Sequence, residues 1–244
     1  MTAASIRIGT SGWAYDHWKG PFYPPHIGSD AMLAEYARHF DTVELNSTFY
    51  RLPAPETLER WADSVPAGFT FAVKASRYIT HIKKLKDSAE TLPPFLERVR
   101  LLGDCLGPVL FQLPPRFHYN GARLEALLDQ LPDDLACAFE FRDETWFNQE
   151  TFELLDSRGA ALCLYDLGGR TAPERPTGAF VYVRLHGPHE AYAGRYSDAA
   201  LDHWAAALRG WSQDRRPCWC FFDNDAAGHA PADAQRLLSL LDRA

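Results

Sequence analysis

The chain has 244 residues, of which 46% are hydrophobic and 13% aromatic. This content can fill a large core, which excludes a disordered chain, and the length suits either two small domains or one large one. With 25 Lys+Arg against 32 Asp+Glu, the net charge of -7 excludes an overall electrostatic footprint for nucleic acid.

Eight short apolar segments rich in β-forming residues predict strands over 6–9, 42–46, 69–75, 108–113, 136–142, 160–165, 179–186 and 218–224. Helical patterns occupy most of the gaps between them. Ser29 is predicted to cap the first helix, Pro55 suits the first turn of the next, and Ser197 is predicted to cap a later one. Gly159 is found where a helix begun near Asn148 should end.

Strands that alternate with helices pair in parallel through right-handed crossovers, and eight such units predict a closed (β/α)8 TIM barrel. Because composition does not change along the chain, we predict a single domain over 1–244. No G-x-G-x-x-G or P-loop fingerprint follows a predicted strand, which argues against an open dinucleotide-binding fold. The segment 167–178, LGGRTAPERPTG, is too rich in Gly and Pro for a helix and predicts a loop.

Polar residues occupy the ends of the predicted strands. In AFEFR, Ala138, Glu140 and Arg142 share one face, and in a barrel that face points into the lumen, at the end where function collects. The same reading of the other strands adds a set of polar groups at the mouth: Glu44, Asn46, Lys74, Gln112, Asp166, Arg184, His186 and Asn224. Buried charge is costly unless it is paired or used, so this convergence predicts a ligand site. The alternative is a structural network of ion pairs that closes the barrel top.

Aromatic residues also follow the strands. Trp13, Tyr15 and Trp18 come after the first strand, Phe49 after the second and Trp146 after the fifth. Loops in these positions are the functional loops of a barrel, and flat rings there suit a sugar ring or a base. The alternative is that the rings pack beneath their own loops.

Targeting signals and cysteine chemistry are not evident. The N-terminus lacks a basic region followed by a long apolar run, and no later window resembles a membrane span, so we expect a cytoplasmic protein without membrane contact. The five cysteines are an odd number without a CxxC pair, and we expect ordinary buried thiols rather than disulfides or a zinc site.

Several longer motifs resemble a known family. GTSGWAYDHWKGPFYP, TVELNSTFY, FAVKASRYITH, LGPVLFQLPPRF, FEFRDETWF, VYVRLHG and FFDNDAAGHAPADAQRL are similar, in that order, to blocks of the family called domain of unknown function 72, or YecE-like. The resemblance covers essentially the whole chain and implies a TIM barrel, but it implies no activity. Asp143 stands where the family commonly has histidine, and Asp223 where it usually has asparagine. If that histidine carries protons in the family, this chain cannot use it in the same way.

The first functional hypothesis is a metal-independent enzyme, without a cofactor, that acts on a small polar or anionic, sugar- or phosphate-like substrate. Glu44 and Glu140 are predicted to divide acid and base roles, and His186 to move a proton. Lys74 joins them as a catalytic residue, with a Schiff-base role as one alternative. The substrate-binding residues are predicted to be Trp13, Tyr15, Asn46, Gln112, Arg142, Asp166, Arg184 and Asn224.

Two other hypotheses belong to different classes. A divalent-metal barrel acting on nucleic acid or sugar would need clustered ligands such as Glu44, Glu140, Asp166 and His186, helped by loop histidines such as His81. A non-catalytic binder of nucleic acid or nucleotides would use the basic segment RYITHIKKLKD at 77–87. A short basic run is usually a solvated surface, so this partner is not favoured. The sequence gives no oligomeric state.

Overall fold

The computed structural model describes residues 3–242. Its strands are β1 (Ile6–Thr10), β2 (Thr42–Leu45), β3 (Thr70–Lys74), β4 (Leu106–Gln112), β5 (Cys137–Glu140), β6 (Ala161–Leu167), β7 (Arg170–Thr171), β8 (Val181–Leu185) and β9 (Cys218–Phe222). Its α-helices are α1 (Ser29–Tyr36), α2 (Ser47–Tyr50), α3 (Pro55–Asp63), α4 (Ser88–Val99), α5 (Gly121–Leu128), α6 (Gln149–Ser157), α7 (Asp198–Gln213) and α8 (His229–Leu241). Short 3-10 turns cover Asp16–Trp18, Arg100–Cys105 and Glu144–Trp146, and a π-helical turn covers Tyr78–Ile82.

Eight parallel strands form a nearly closed barrel with helices outside it, which confirms the predicted fold class. Neighbouring strands follow the order β1-β9-β8-β6-β5-β4-β3-β2. The remaining seam is bridged where Ser11 pairs with Glu44 and the amide of Gly12 donates to the Glu44 carbonyl at 2.8 Å. The short β7 pairs with β6 in antiparallel fashion inside the predicted loop 167–178.

Most of the predicted helix boundaries are confirmed by their caps. Pro55 opens α3, and the side chain of Ser197 accepts the amide of Ala200 at 3.2 Å. Gly159 follows α6 with φ +63°, a left-handed conformation that glycine adopts without a steric cost. The prediction for Ser29 is wrong, because it is the first residue of α1 and Gly28 occupies the cap without a side-chain bond.

The core divides into a layer between strands and helices and a smaller cluster inside the barrel. The inner cluster contains Ala72, Leu110, Ala138, Ala161, Cys163, Phe180, Tyr182 and Phe221. Small and apolar side chains therefore fill the lower lumen. The polar residues that come later on the same faces lie above them, at the C-terminal mouth.

Two of the predicted strand orientations are wrong. Cys163 lies in the inner cluster and Leu164 in the outer layer, so Tyr165 faces the lumen and Asp166 faces outward. The register agrees, because Tyr165 is paired with Arg184 and Asp166 with Leu185. On β9 the inner residue is Phe221, which turns Asp223 inward and Asn224 outward. Both segments are apolar on both faces, as is typical of buried parallel strands, so alternation could not fix their orientation.

Helix length and the state of the cysteines were also open after the sequence analysis. Between residues 3 and 242, no helix is both long enough and apolar enough to cross a membrane. Four of the five cysteines are buried and Cys105 is partly buried, and all five are free thiols.

Candidate active site at the barrel mouth

Arg184 on β8 is the centre of a buried charged cluster at the mouth, and its side chain is 1% exposed. Its Nη1 donates to Glu140 Oε2 at 2.7 Å, and its Nη2 donates to Glu44 Oε2 at 2.7 Å. Asp223 Oδ2 lies 3.2 Å from the same Nη2. One guanidinium therefore joins carboxylates from three strands, a geometry suited to its planar set of donors.

Both carboxylate oxygens of Glu44 accept hydrogen bonds from neighbouring side chains. Its Oε1 accepts the Tyr182 hydroxyl at 2.8 Å, and its Oε2 accepts the Ser11 hydroxyl at 2.6 Å in addition to Arg184. Ser11 also forms the bridge between the ends of β1 and β2. The geometry of Glu44 is thus that of an anchor, which positions Arg184 and holds the barrel seam together.

Glu140 is a buried carboxylate between two guanidinium groups. Arg142 Nη2 contacts its Oε1, and Arg184 donates to its Oε2. Burial would raise the pKa of Glu140, but the guanidinium groups of Arg142 and Arg184 outweigh it and hold the pKa well below its ordinary value. Glu140 is therefore ionised at neutral pH and has no proton to donate there.

His186 is buried beneath Tyr192 and links the guanidinium groups to Asp223. Its Nε2 lies 3.1 Å from Arg142 Nη2 and 3.2 Å from Arg184 Nη1. Because a guanidinium can only donate, we assign Nε2 as the acceptor and place the proton on Nδ1, which faces Asp223 Oδ2 at 3.0 Å. The Tyr192 ring lies edge-on to the imidazole, with 5.4 Å between the ring centres. The backbone of Tyr192 is in the left-handed region, with φ +65°.

Lys74 differs from the other charged residues because its ammonium has no anionic partner. Across residues 3–242, no hydrogen bond or ion pair of Nζ is found, and the group lies 4.5 Å from the centre of the Phe49 ring. Burial and, next, the positive charge of Arg184 lower the pKa of Lys74 to about 8. Lys74 therefore exchanges its proton close to neutral pH, at a partly exposed position of the mouth.

His81 belongs to the π-helical turn Tyr78–Ile82 and lies near Lys74. Its ring packs edge-on against Phe49 at 4.9 Å, and its Nδ1 lies 2.9 Å from Thr80 Oγ1. Burial, and then the nearby charge of Lys74, lower the pKa of His81 to about 4, so the imidazole is neutral at physiological pH. The sequence suggested His81 only as an auxiliary metal ligand.

Three other predicted residues lie near this mouth. Gln112 is paired in register with Glu140 on the lumen face, and its side-chain amide donates to the Leu113 carbonyl at 2.7 Å. The Tyr15 hydroxyl donates to the Ser11 carbonyl at 2.8 Å. Asn46 follows β2, and its side-chain oxygen is buried without a hydrogen-bond partner.

Three of the predicted residues lie elsewhere. Trp13 packs in the outer core, 5.0 Å from Trp61 and 6.4 Å from Phe71 by ring centres. Asn224 donates to the Gly194 carbonyl at 2.8 Å and to Asp233 at 2.9 Å, so it ties β9 to α8. Asp166 faces outward, as the register of β6 requires. The packing alternative is therefore correct for Trp13.

Several members of the cluster were missed. Asp223 was noted only as a departure from a family pattern, and its orientation could have been found only by setting the parity of β9 from Phe221. Ser11 and Tyr182 carry no signal in the sequence, because their role depends on contact with Glu44. Asp143, the other departure, accepts the Thr145 hydroxyl at 2.6 Å outside the cluster.

The alternative hypotheses receive little geometric support. Within residues 3–242 there is no group of three or more His, Cys, Asp and Glu side chains arranged to hold a metal ion. In the basic segment, Lys83 is neutralised by Asp87 at 2.7 Å. A surface groove of about 630 Å³, lined by Arg195 and Gln235 among others, lies against α7 and α8 and contains no residue of the charged cluster.

The amino-acid sequence matches one known family and several known proteins. The family described as "Protein of unknown function DUF72" matches residues 7–244. The UPF0759 protein YunF of Bacillus subtilis is 29% identical over 97% of this chain and 95% of its own length. The UPF0759 protein YecE of Escherichia coli K12 is 34% identical over 63% of this chain and 54% of its own length.

Solved structures agree with the fold. A DUF72 family protein from Thermotoga maritima has a TM-score of 0.89 and 28% identity, covering 98% of this chain and 99% of its own. A DUF72 family protein from Enterococcus faecalis, at 20% identity and a TM-score of 0.84, covers 97% of this chain and 95% of its own. The second likeness concerns the fold alone.

Proposed function

The chain belongs to the DUF72 family of proteins of unknown function, and from that premise we propose that it is an enzyme that acts on a small anionic substrate at the barrel mouth. The observation that supports this proposal is the ammonium of Lys74, which lies over the Phe49 ring and has no anionic partner within residues 3–242. The carboxylates around it, Glu44, Glu140 and Asp223, are bound by Arg184, and an anionic ligand would supply the ion pair that Lys74 lacks.

The charged residues divide into a scaffold and a reactive side. Glu44 and Glu140 are fully buried and both are paired with the buried Arg184, whose Nε alone has no hydrogen-bond partner among the described residues, so we assign the three to support of the barrel top rather than to contact with a substrate. Lys74 and Arg142 line the reactive side. Arg142 is 9% exposed, uses Nη2 for its contacts with Glu140 and His186, and lies 5.0 Å above the Tyr165 ring.

This division assigns roles to the two cations. A guanidinium held in place by Glu140 and His186 is prepared to bind a carboxylate or phosphate without moving. Lys74 exchanges its proton near neutral pH, which suits proton transfer to or from the substrate. The acid and base roles that the sequence suggested for Glu44 and Glu140 pass to Lys74, since both oxygens of Glu44 accept hydrogen bonds from its neighbours and Glu140 is ionised at neutral pH.

Thermal denaturation with small anions tests the proposal. Inorganic phosphate, pyruvate and glycolaldehyde phosphate should raise the unfolding midpoint, because a ligand that binds only the folded state stabilises it. Lys74→Met and Arg142→Met should remove the increase. The exposed Lys86→Met is the matched control and should retain it. Equal increases in all four proteins, or none in the wild type, would contradict a site at the mouth.

A further inference from the structure

We propose that Lys74 forms an imine with the carbonyl carbon of a substrate that also carries an anionic group, such as a 2-oxo acid or a phosphorylated aldehyde. This inference rests on the proposed function and names the substrate class of the same site. It requires a nucleophilic amine and a second residue, on the same side of the mouth, that binds the anionic group.

The surroundings of Lys74 suit a nucleophile. The amine nitrogen attacks through its lone pair, which has to be free of both a proton and a hydrogen-bonded acceptor. Across residues 3–242, Nζ forms no hydrogen bond or ion pair, and it lies 4.5 Å from the centre of the Phe49 ring. Burial and, next, the positive charge of Arg184 lower the pKa of Lys74 to about 8, against the opposing charges of Glu140, Glu44 and Asp223.

Arg142 is the second element, because it can take the anionic group while Lys74 reacts. Its Nη2 is fixed by Glu140 and His186, and its guanidinium lies over the Tyr165 ring. Lys74 ends β3 and Arg142 follows β5, with one strand, β4, between the two backbones. The register sets Lys74 level with Ala138 through Leu110, so Arg142 begins four residues further along, and its guanidinium contacts Glu140. The charges of Lys74 and Arg142 both lower the pKa of His81, which puts the two cations on the same side of the mouth, and the proposed substrate spans them.

The chemistry is balanced without any other reactant. Neutral Nζ adds to the carbonyl carbon, and a proton passes from nitrogen to the carbonyl oxygen to give a carbinolamine. A second proton, taken from solvent at the partly exposed mouth, converts the hydroxyl group to water, which leaves as the carbon–nitrogen double bond forms. Hydrolysis reverses both steps and returns the free amine.

The chain makes selective labelling easy to interpret, because it contains only five lysines: Lys19, Lys74, Lys83, Lys84 and Lys86. Lys19 is paired with Asp16 at 2.8 Å and Lys83 with Asp87 at 2.7 Å. An amine with a pKa of about 8 has on the order of a hundred times more neutral form at pH 7 than an ordinary exposed lysine. Among the lysines, imine formation should therefore be concentrated at Lys74, and peptide analysis separates it from reaction at the α-amino group, whose ordinary pKa is also about 8.

The test is reductive trapping. The intact protein is incubated at pH 7 with pyruvate or glycolaldehyde phosphate and sodium cyanoborohydride, and its mass and peptides are then measured. Among the lysine peptides we expect one fast addition, equal to the probe less one oxygen atom, at Lys74 and at least tenfold faster than at Lys86. Lys86→Met should react as the wild type does. Lys74→Met should lose the fast addition, and Lys74→Arg should lose it while keeping the positive charge.

The outcomes separate the two proposals. If anions raise the unfolding midpoint in a Lys74-dependent way but Lys74 is labelled no faster than Lys86, the imine is overturned and anion binding stands. If neither the midpoint nor the labelling depends on Lys74, the proposed function fails as well. Fast labelling at Lys74 that competing inorganic phosphate suppresses would support both.

Discussion

Replacing Lys74 by methionine should stabilise the protein at pH 7, although it removes the residue that we place at the centre of the reactive side. Methionine has a similar length and no charge, and its thioether can pack on the Phe49 ring that now lies 4.5 Å from the ammonium. Functional groups of this kind are often held at a cost in stability, and their removal often stabilises the fold.

The magnitude follows from the pKa. Lowering the pKa of Lys74 from 10.5 to about 8 corresponds to about 3 kcal/mol of destabilisation at a pH where the amine is protonated in both states. Because solvent reaches part of the side chain, we expect a gain of roughly 2–3 kcal/mol in Lys74→Met. For a domain of this size, that gain corresponds to an increase of roughly 5–10 °C in the unfolding midpoint.

The pH dependence has a definite sign. Between pH 8 and 10.5 the unfolded chain keeps the Lys74 proton while the folded chain loses it, so wild-type stability rises with pH in that window. Lys74→Met lacks this contribution. The advantage of the variant should therefore be complete below pH 8 and vanish as the pH approaches 10.5.

Urea denaturation at pH 7 and at pH 10 measures the gain in the free energy of unfolding and its change with pH. Lys86→Met, at an exposed position, should match the wild type at each pH and controls for the loss of one charge. A variant that is less stable than the wild type at pH 7, or whose advantage is the same at pH 10, would refute the reasoning and make Lys74 an ordinary stabilising cation.

Four other substitutions test the remaining assignments. Glu140→Gln should cost about 3–5 kcal/mol in urea denaturation because it leaves buried guanidinium groups without their partner. Since the pKa of Glu140 is held below its ordinary value, its stabilisation is lost as the pH falls below about 4.5; an acid unfolding curve of the Gln variant as steep as that of the wild type would contradict this. Tyr182→Phe should cost about 1 kcal/mol through the lost bond to Glu44. Trp13→Ala and Asn224→Ala should lower stability, by about 3–5 kcal/mol for the indole, and leave the anion-induced midpoint shift unchanged; a lost shift would return either residue to the site.

Sequence patterns were sufficient where one face of a strand differs from the other. On β5 the small residue Ala138 is followed on the same face by Glu140, and on β8 Tyr182 is followed by Arg184, which placed both charged residues in the lumen correctly. On β6 and β9 both faces are apolar, and the expected orientation of Asp166 and Asn224 was wrong. A strand buried on both sides has no alternation from which its orientation can be read.

The amino-acid sequence by itself determined the eight strands, the helices between them and the convergence of charge at one end of the barrel, because periodicity and local caps act over a few residues. Only the tertiary structure decided which charges neutralise one another. Arg184 and Glu44 are 140 positions apart, and their contact depends on the closure of the barrel. That pairing occupies the carboxylates and, within residues 3–242, leaves Lys74 without an ion-pair partner. The low pKa of Lys74 arises from burial and from neighbours on other strands, and no local pattern contains either.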